Sequence, residues 1–174
     1  MTTDSRVGTR FDAGKVYFID HERKHGEYVL TTFLAGRRVV MFGGPAPFSR
    51  LDTEQARDYA MLCSSITEAG VDMVYGIYVQ DAFVCRAFED KIDAEVGDNL
   101  LVLLGDGISS FVKEQNLEYD FTDYGLGKRM VRWAAVINDG VVEYFVEDPF
   151  QEINLTSAKN LLAYLNETKV SKPV

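Results

Sequence analysis

Cysteine is nearly absent from this chain, whose 174 residues include only Cys63 and Cys85. Two thiols outside any C-x-x-C arrangement build neither a disulfide framework nor a paired redox motif, so both are read as free and reduced. Histidine is as scarce. His21 and His25 have a spacing that would suit a metal on a helix, but DHERKH carries basic neighbours and reads as a solvated loop; no metal site and no cofactor is expected. Positive charge is also short: 18 Lys and Arg stand against 27 Asp and Glu, for a net charge of −9 and a pI near 4.7. That balance disfavours nucleic acid, anionic membranes and polyanionic substrates, because affinity for phosphates comes largely from Lys and Arg. A small or uncharged partner fits better. No apolar run approaches the roughly 20 residues that span a bilayer, and MTTDSRVGTRFDAGK lacks the apolar centre of a secretion signal, so a cytoplasmic location is expected. The sequons at Asn154 and Asn166 then carry no weight. Repeats, low-complexity tracts and interior linkers are missing too. The expectation is one domain over 1–174, with 1–14 and 169–174 as loose ends.

What is present is ordered by periodicity. Residues 37–42 (RRVVMF), 71–79 (VDMVYGIYV) and 99–104 (NLLVLL) are short, nearly continuous apolar runs of the kind found in fully buried strands. Helical patterns lie between them. In 52–69, Ala56, Tyr59, Leu62, Cys63 and Ile66 recur at spacings of three and four, and Gly70 stands where a helix would stop. Residues 81–92 and 108–115 read as further helices. The segments 130–137 and 141–146 flank Asn138-Asp139-Gly140, a tight-hairpin signal, and 156–166 is an amphipathic closing helix. The order predicts an α/β fold with a central mixed sheet flanked by helices. It suits thioredoxin-like folds and other small α/β sandwiches alike.

The stretch GGPAPFSRLDTEQ follows the first apolar run and opens the first long helix. Together with the preceding RRVVMF it resembles the strand and active-site loop of the peroxiredoxins, in particular the atypical fifth subfamily, whose loop reads Pro-x-x-x-Phe-Thr-Pro-x-Cys. Gln80-Asp81-Ala82-Phe83-Val84, Gly125-Leu126-Gly127, Arg132-Trp133-Ala134 and Asn138-Asp139-Gly140-Val141-Val142 match further motifs of that subfamily, so the similarity spans about 16–165. The resemblance implies a peroxiredoxin version of the thioredoxin fold. It also implies a pocket made of Pro45, Ser49 and Arg132, in which a Cys thiolate would attack peroxide while helix amides and Arg132 stabilise charge. Counting forward from Phe48 puts Asp52 at the Cys position; counting back from Gln55 and Tyr59 puts Leu51 there. Neither side chain can form a sulfenic acid. Arg50 also replaces the proline that follows the hydroxyl residue.

The resemblance therefore implies a degenerate member with a vestigial pocket of Pro45, Ser49, Asp52 and Arg132, acting as a binding or interaction module rather than a thiol peroxidase. Asp52 has two compatible readings. It caps the helix, with Gln55 reaching back in a capping box, or it supplies a fixed negative charge paired with Arg132 and the helix dipole. A small anion between Arg132 and the helix amides is a further possibility, with Asp52 competing for the space. The family's dimers imply a homodimer through Pro47, Phe48, Phe83 and Leu126, and a protein partner remains open. The alternative is a thiol-dependent enzyme working through Cys85 or Cys63. Cys63 falls on the buried stripe of its helix, and Cys85 is spaced for burial with Phe88 and Ile92, so both are expected in the core. Gly125-Leu126-Gly127-Lys128 reads as a tight turn rather than a phosphate loop.

Overall fold

The three apolar runs become three neighbouring parallel strands. The computed structural model describes residues 5–169 of the chain. It contains β1 (Lys15–Ile19), β2 (His25–Val29), the single-turn α1 (Leu30–Phe33), β3 (Arg38–Gly43), α2 (Arg50–Glu68), β4 (Met73–Tyr78), α3 (Ala82–Val96), β5 (Leu101–Gly105) and α4 (Ser110–Glu114). There follow β6 (Glu118–Asp120), a 3-10 turn (Thr122–Tyr124), β7 (Lys128–Met130), β8 (Arg132–Asn138), β9 (Val141–Asp148) and α5 (Ala158–Glu167). Seven strands form one sheet in the order β2-β1-β5-β4-β3-β8-β9, and β6 pairs with β7 as a separate ribbon. Strands β3, β4 and β5 are mutually parallel, while β8 runs antiparallel beside β3. This is the mixed sheet flanked by helices that the element order predicts.

Each central strand is buried on both faces, which is why its sequence is apolar without alternation. Val40 and Phe42 of β3 pack with the buried stripes of α2, α3 and α5; Val39 and Met41 pack on the opposite side with Leu30, Phe111 and Trp133. In β8, Ala134 and Val136 lie on the α2 side, and Trp133, Ala135 and Ile137 on the other. Period two therefore puts Arg132 on the α2 side. Since β8 is hydrogen-bonded to β3, with Gly43 opposite Trp133, Arg132 ends up beneath the start of α2.

Several expectations change. The amino-terminal lead, expected to be loose over 1–14, is docked in its described part: the Gly8 amide donates to the Val142 carbonyl at 2.9 Å and the Phe11 amide to the Gly140 carbonyl at 2.8 Å. Phe11 is the anchor, its ring 5.4 Å from Trp133 and 5.5 Å from Phe111. A single buried aromatic among polar neighbours has no periodicity by which to be recognised. Residues 1–4 and 170–174 lie outside the described residues. The segment around His21 and His25, expected to be a loop, forms the turn and second strand of the β1–β2 hairpin. His21 Nδ1 faces the Arg86 guanidinium at 3.4 Å, while the His25 ring lies between Tyr17 and Phe83. Among the described residues no helix is long and apolar enough to cross a membrane.

Candidate functional site

The loop between β3 and α2 ends at Ser49, and the helix starts at Arg50, earlier than its apolar stripe alone indicates. Ser49 is the N-cap. Its hydroxyl oxygen accepts from the Asp52 amide at 3.2 Å, and its hydroxyl donates to Asp52 Oδ2 at 2.9 Å. The cap therefore belongs to Ser49 and not to Asp52, whose carboxylate sits three residues in and reaches back to the cap. Gln55 takes no part in this box. Its position four residues before Tyr59 puts it on the buried side of α2, as Asp52 is put there by standing four before Ala56. The same stripe that builds the core thus carries two polar groups at its first turns.

Those groups meet Arg132. The guanidinium donates through Nη1 to Asp52 Oδ1 at 3.0 Å and through Nη2 to Asp52 Oδ2 at 3.3 Å, and Nη1 also reaches Gln55 Oε1 at 2.6 Å. Both ionic side chains are 1% exposed. The Ala46 amide donates to Asp52 Oδ2 at 3.2 Å, so the carboxylate gathers the guanidinium, a hydroxyl and a backbone amide. It also lies in the first turn of a 19-residue helix, where the dipole favours negative charge. Asp52 itself fills the place beside Arg132 that a small anion would take. Gln55 Nε2 and the Tyr59 hydroxyl both donate to the Thr156 carbonyl, at 3.1 and 2.8 Å, tying the cluster to the entry of α5. Two buried polar atoms, Arg132 Nε and Tyr78 Oη, have no hydrogen-bond partner among the described residues. Burial, with Asp52 adding to it, pushes the Tyr78 hydroxyl well above its ordinary value, so the phenol stays protonated.

Gly44 is required by this packing. A Cβ there would overlap Asp52 Oδ1 and lie 3.0 Å from Arg132 Nη1. Because the carboxylate is pinned on several sides, Gly44→Ala is expected to cost about 1–3 kcal/mol in urea unfolding. An unchanged midpoint would show that the pair relaxes freely.

In front of the cluster lies an open cleft of about 410 Å³, lined by Pro45, Ser49, Leu51, Asp52 and Arg132, with Tyr124 and Phe150 also in its wall. Pro45, Ser49, Asp52 and Arg132 are therefore brought together, and Leu51 shares the same wall. The thiols are elsewhere. Cys63 and Cys85 are 1% and 0% exposed in the core shared by α2, α3 and α5, and neither lines the cleft. Burial pushes the Cys63 thiol up to about 11 and the Cys85 thiol further still, with Asp81 and Glu89 adding to the latter. Both remain thiols rather than the nucleophilic thiolate at neutral pH.

Phe48 and Phe83 are 47% and 66% exposed, whereas Pro47 and Leu126 are half-buried. Phe48 follows β3 and Phe83 follows β4, so the parallel strands deliver both to one end of the sheet. Phe48 has a φ of 68°, a conformation unfavourable for a bulky residue. Gly125 and Gly127, with φ of 72° and 68°, form a tight turn that presents Leu126. Gln55, Gly44 and Tyr78 are site residues that sequence reasoning missed. For Gln55 the stripe spacing was a usable signal; for the other two only the packing reveals it.

No family model matches the chain. It is 33% identical over 122 residues to a peroxiredoxin of Sinorhizobium fredii, an overlap covering 69% of this chain and 63%, less than two thirds, of that protein. It is 31% identical over 141 residues to a peroxiredoxin of Rhizobium etli, covering 76% of each. Among solved structures, reduced Prx3 from Vibrio vulnificus in complex with hydrogen peroxide superposes with a TM-score of 0.83 at 28% identity, over 91% of this chain and 98% of that one.

Proposed function

Because this chain belongs to the peroxiredoxin family and has its thioredoxin-like fold, we propose that it is a member whose peroxide pocket has become a binding site, with Asp52 in place of the reactive cysteine. The observation that carries this reading is the buried ion pair at 3.0 Å between Asp52 and Arg132. A thiolate facing that guanidinium would present a negative charge, a nucleophile and a sulfur able to reach the sulfenic state. The carboxylate keeps the first and lacks the sulfur chemistry. The Arg132 contact also supports Asp52, rather than Leu51, as the residue in the cysteine's position.

A cytoplasmic protein that binds a small molecule or a protein partner through the cleft is the resulting reading. The thiol-enzyme alternative would need Cys85 or Cys63 to reach peroxide, and their burial with raised pKa weighs against it.

The test is hydrogen peroxide consumption by the full chain with dithiothreitol, thioredoxin or glutaredoxin as donor. Background rates are expected for the wild type and equally for Cys63→Ser and Cys85→Ser. Turnover removed by either substitution would instead establish the thiol enzyme. Two further variants probe the pocket: Asp52→Cys is expected to acquire peroxide reactivity and Leu51→Cys is not, since it is the residue 52 side chain that hydrogen-bonds to both Arg132 and Ser49. The reverse result would put Leu51 at the cysteine position.

The same proposal includes a homodimer around the loop after β3. Phe48 and Phe83 supply exposed aromatic surface there, and Pro47 and Leu126 complete the contact. Sedimentation at micromolar concentration is expected to give a dimer, and Phe48→Glu with Phe83→Glu a folded monomer. A wild-type monomer under those conditions would remove the dimer from the reading.

A further inference from the structure

The cleft has a neighbour. A second cavity of about 240 Å³ shares the lining residues Tyr124, Arg132 and Phe150 with it and lies between the β6–β7 ribbon and the end of β9. The two chambers differ in charge. The wall of the first contains Arg50, which makes no ion pair among the described residues, and Leu51, at the end of α2 where helix amides lack intrahelical acceptors. The wall of the second contains Glu147 and Asp148. Asp148 is saturated, accepting from the amides of Asn154, Leu155 and Thr156 and from the Thr156 hydroxyl. Glu147 is 46% exposed and only loosely matched by Arg6 at 3.9 Å, while Arg6 donates to the Gln115 and Asn116 carbonyls at 2.6 and 3.1 Å. Between the two ends the wall is aromatic: Tyr124 stands 4.4 Å from Phe150, and Phe150 4.9 Å from Phe121. Arg132 lines both chambers with its charge balanced by Asp52 and its Nε without a partner.

We propose that the two chambers together bind one small amphoteric molecule of short-peptide size, with a carboxylate at Arg50, an apolar middle across Tyr124 and Phe150, and an ammonium or guanidinium group at Glu147. The inference rests on reading the cleft as a binding site. It is separable from the peroxide question, because a positive peroxide assay would overturn the non-peroxidase reading without bearing on this ligand. A ligand anionic at both ends would meet Glu147 unfavourably, and one cationic at both ends would meet Arg50. The rings accept an organic cation or an apolar chain on their faces, and the combined space suits a ligand of this size.

The experiment is a calorimetric titration of the full chain with a tripeptide bearing an amino-terminal lysine, a central leucine and a free carboxyl-terminal glycine. Two controls accompany it: the carboxamide of that peptide, and the peptide with acetylated norleucine replacing lysine. Saturable binding of the parent is expected, with each control about 2- to 5-fold weaker, the range of an exposed ion pair. Arg50→Gln should abolish the difference between acid and amide, and Glu147→Gln the difference between lysine and acetyl-norleucine peptides. Both are surface changes that leave the core intact. Equal affinity for all three peptides, charge effects that survive these substitutions, or no saturable binding at millimolar peptide would each overturn the proposal.

Discussion

Arg132→Met is expected to lower the unfolding free energy by about 3–5 kcal/mol, read from urea denaturation at neutral pH. The substitution keeps an unbranched side chain but leaves the Asp52 carboxylate buried without its cation, and leaves Gln55 Oε1 without its 2.6 Å donor. Breaking a buried pair is costly because the remaining charge keeps its desolvation penalty and loses its compensation. The double variant Asp52→Leu with Arg132→Met removes both charges and is expected to lose less than the single one, since an apolar pair has no charge to desolvate. The comparison isolates the coupling. If the single variant loses under about 1 kcal/mol, or the double loses the sum of its singles, the pair is not coupled as the geometry indicates.

The second large effect is a pH dependence centred on Glu89, which is 4% exposed where α3 packs on β5. Its Oε2 accepts from the Leu103 amide at 2.8 Å and its Oε1 from Arg86 Nη1 at 3.2 Å. Burial raises its pKa to about 7, against the lowering pull of the Leu103 amide and Arg86, with Asp93 and Asp90 adding to the rise. Across the cluster His21 faces Arg86, and Arg23 pairs with Asp90 at 2.8 Å. A raised carboxyl pKa means that the folded state holds the proton more tightly than the unfolded one. The contribution is fully present below the ordinary value of 4.5 and is lost as pH rises to about 7. At about 1.36 kcal/mol per unit, that interval amounts to about 3 kcal/mol. Glu89→Gln cannot titrate, yet its amide oxygen can still accept from Leu103. Unfolding curves from pH 4 to 8 should therefore show a decline in the wild type, relative to the variant, of up to about 3 kcal/mol, concentrated between pH 4.5 and 7. Parallel curves would mean that Glu89 titrates as an ordinary carboxyl.

Much of the architecture was legible in the chain itself. The unbroken apolar runs marked β3, β4 and β5 because strands covered on both faces need no polar alternation. Asp139 and Gly140 adopt φ of 50° and 75° at the β8–β9 turn, as their residue types allow. The stripe on α2 is visible too, although Asp52 and Gln55, being polar, do not read as its buried extension. The cap is ambiguous in sequence for a related reason: Asp52 and Ser49 are both good capping residues, and the contact with Arg132 draws the aspartate inward and leaves the serine at the helix end. The β1–β2 hairpin escaped because DHERKH is charged and its strands are short, with β2 at the sheet edge.

By itself, then, the sequence determined the α/β class, the main elements and the faces they bury, together with the small number of thiols available. Local spacing carries that information, since three- and four-residue or two-residue periods act within a single element. Tertiary structure decided what Asp52 faces. Its partner Arg132 is 80 residues away, and they meet because β8 pairs with β3 and turns alternate side chains toward α2. The tertiary packing likewise made Tyr124, Phe150 and Arg132 a wall common to the two cavities. Those outcomes depend on which strands are neighbours, a long-range choice that no local period encodes.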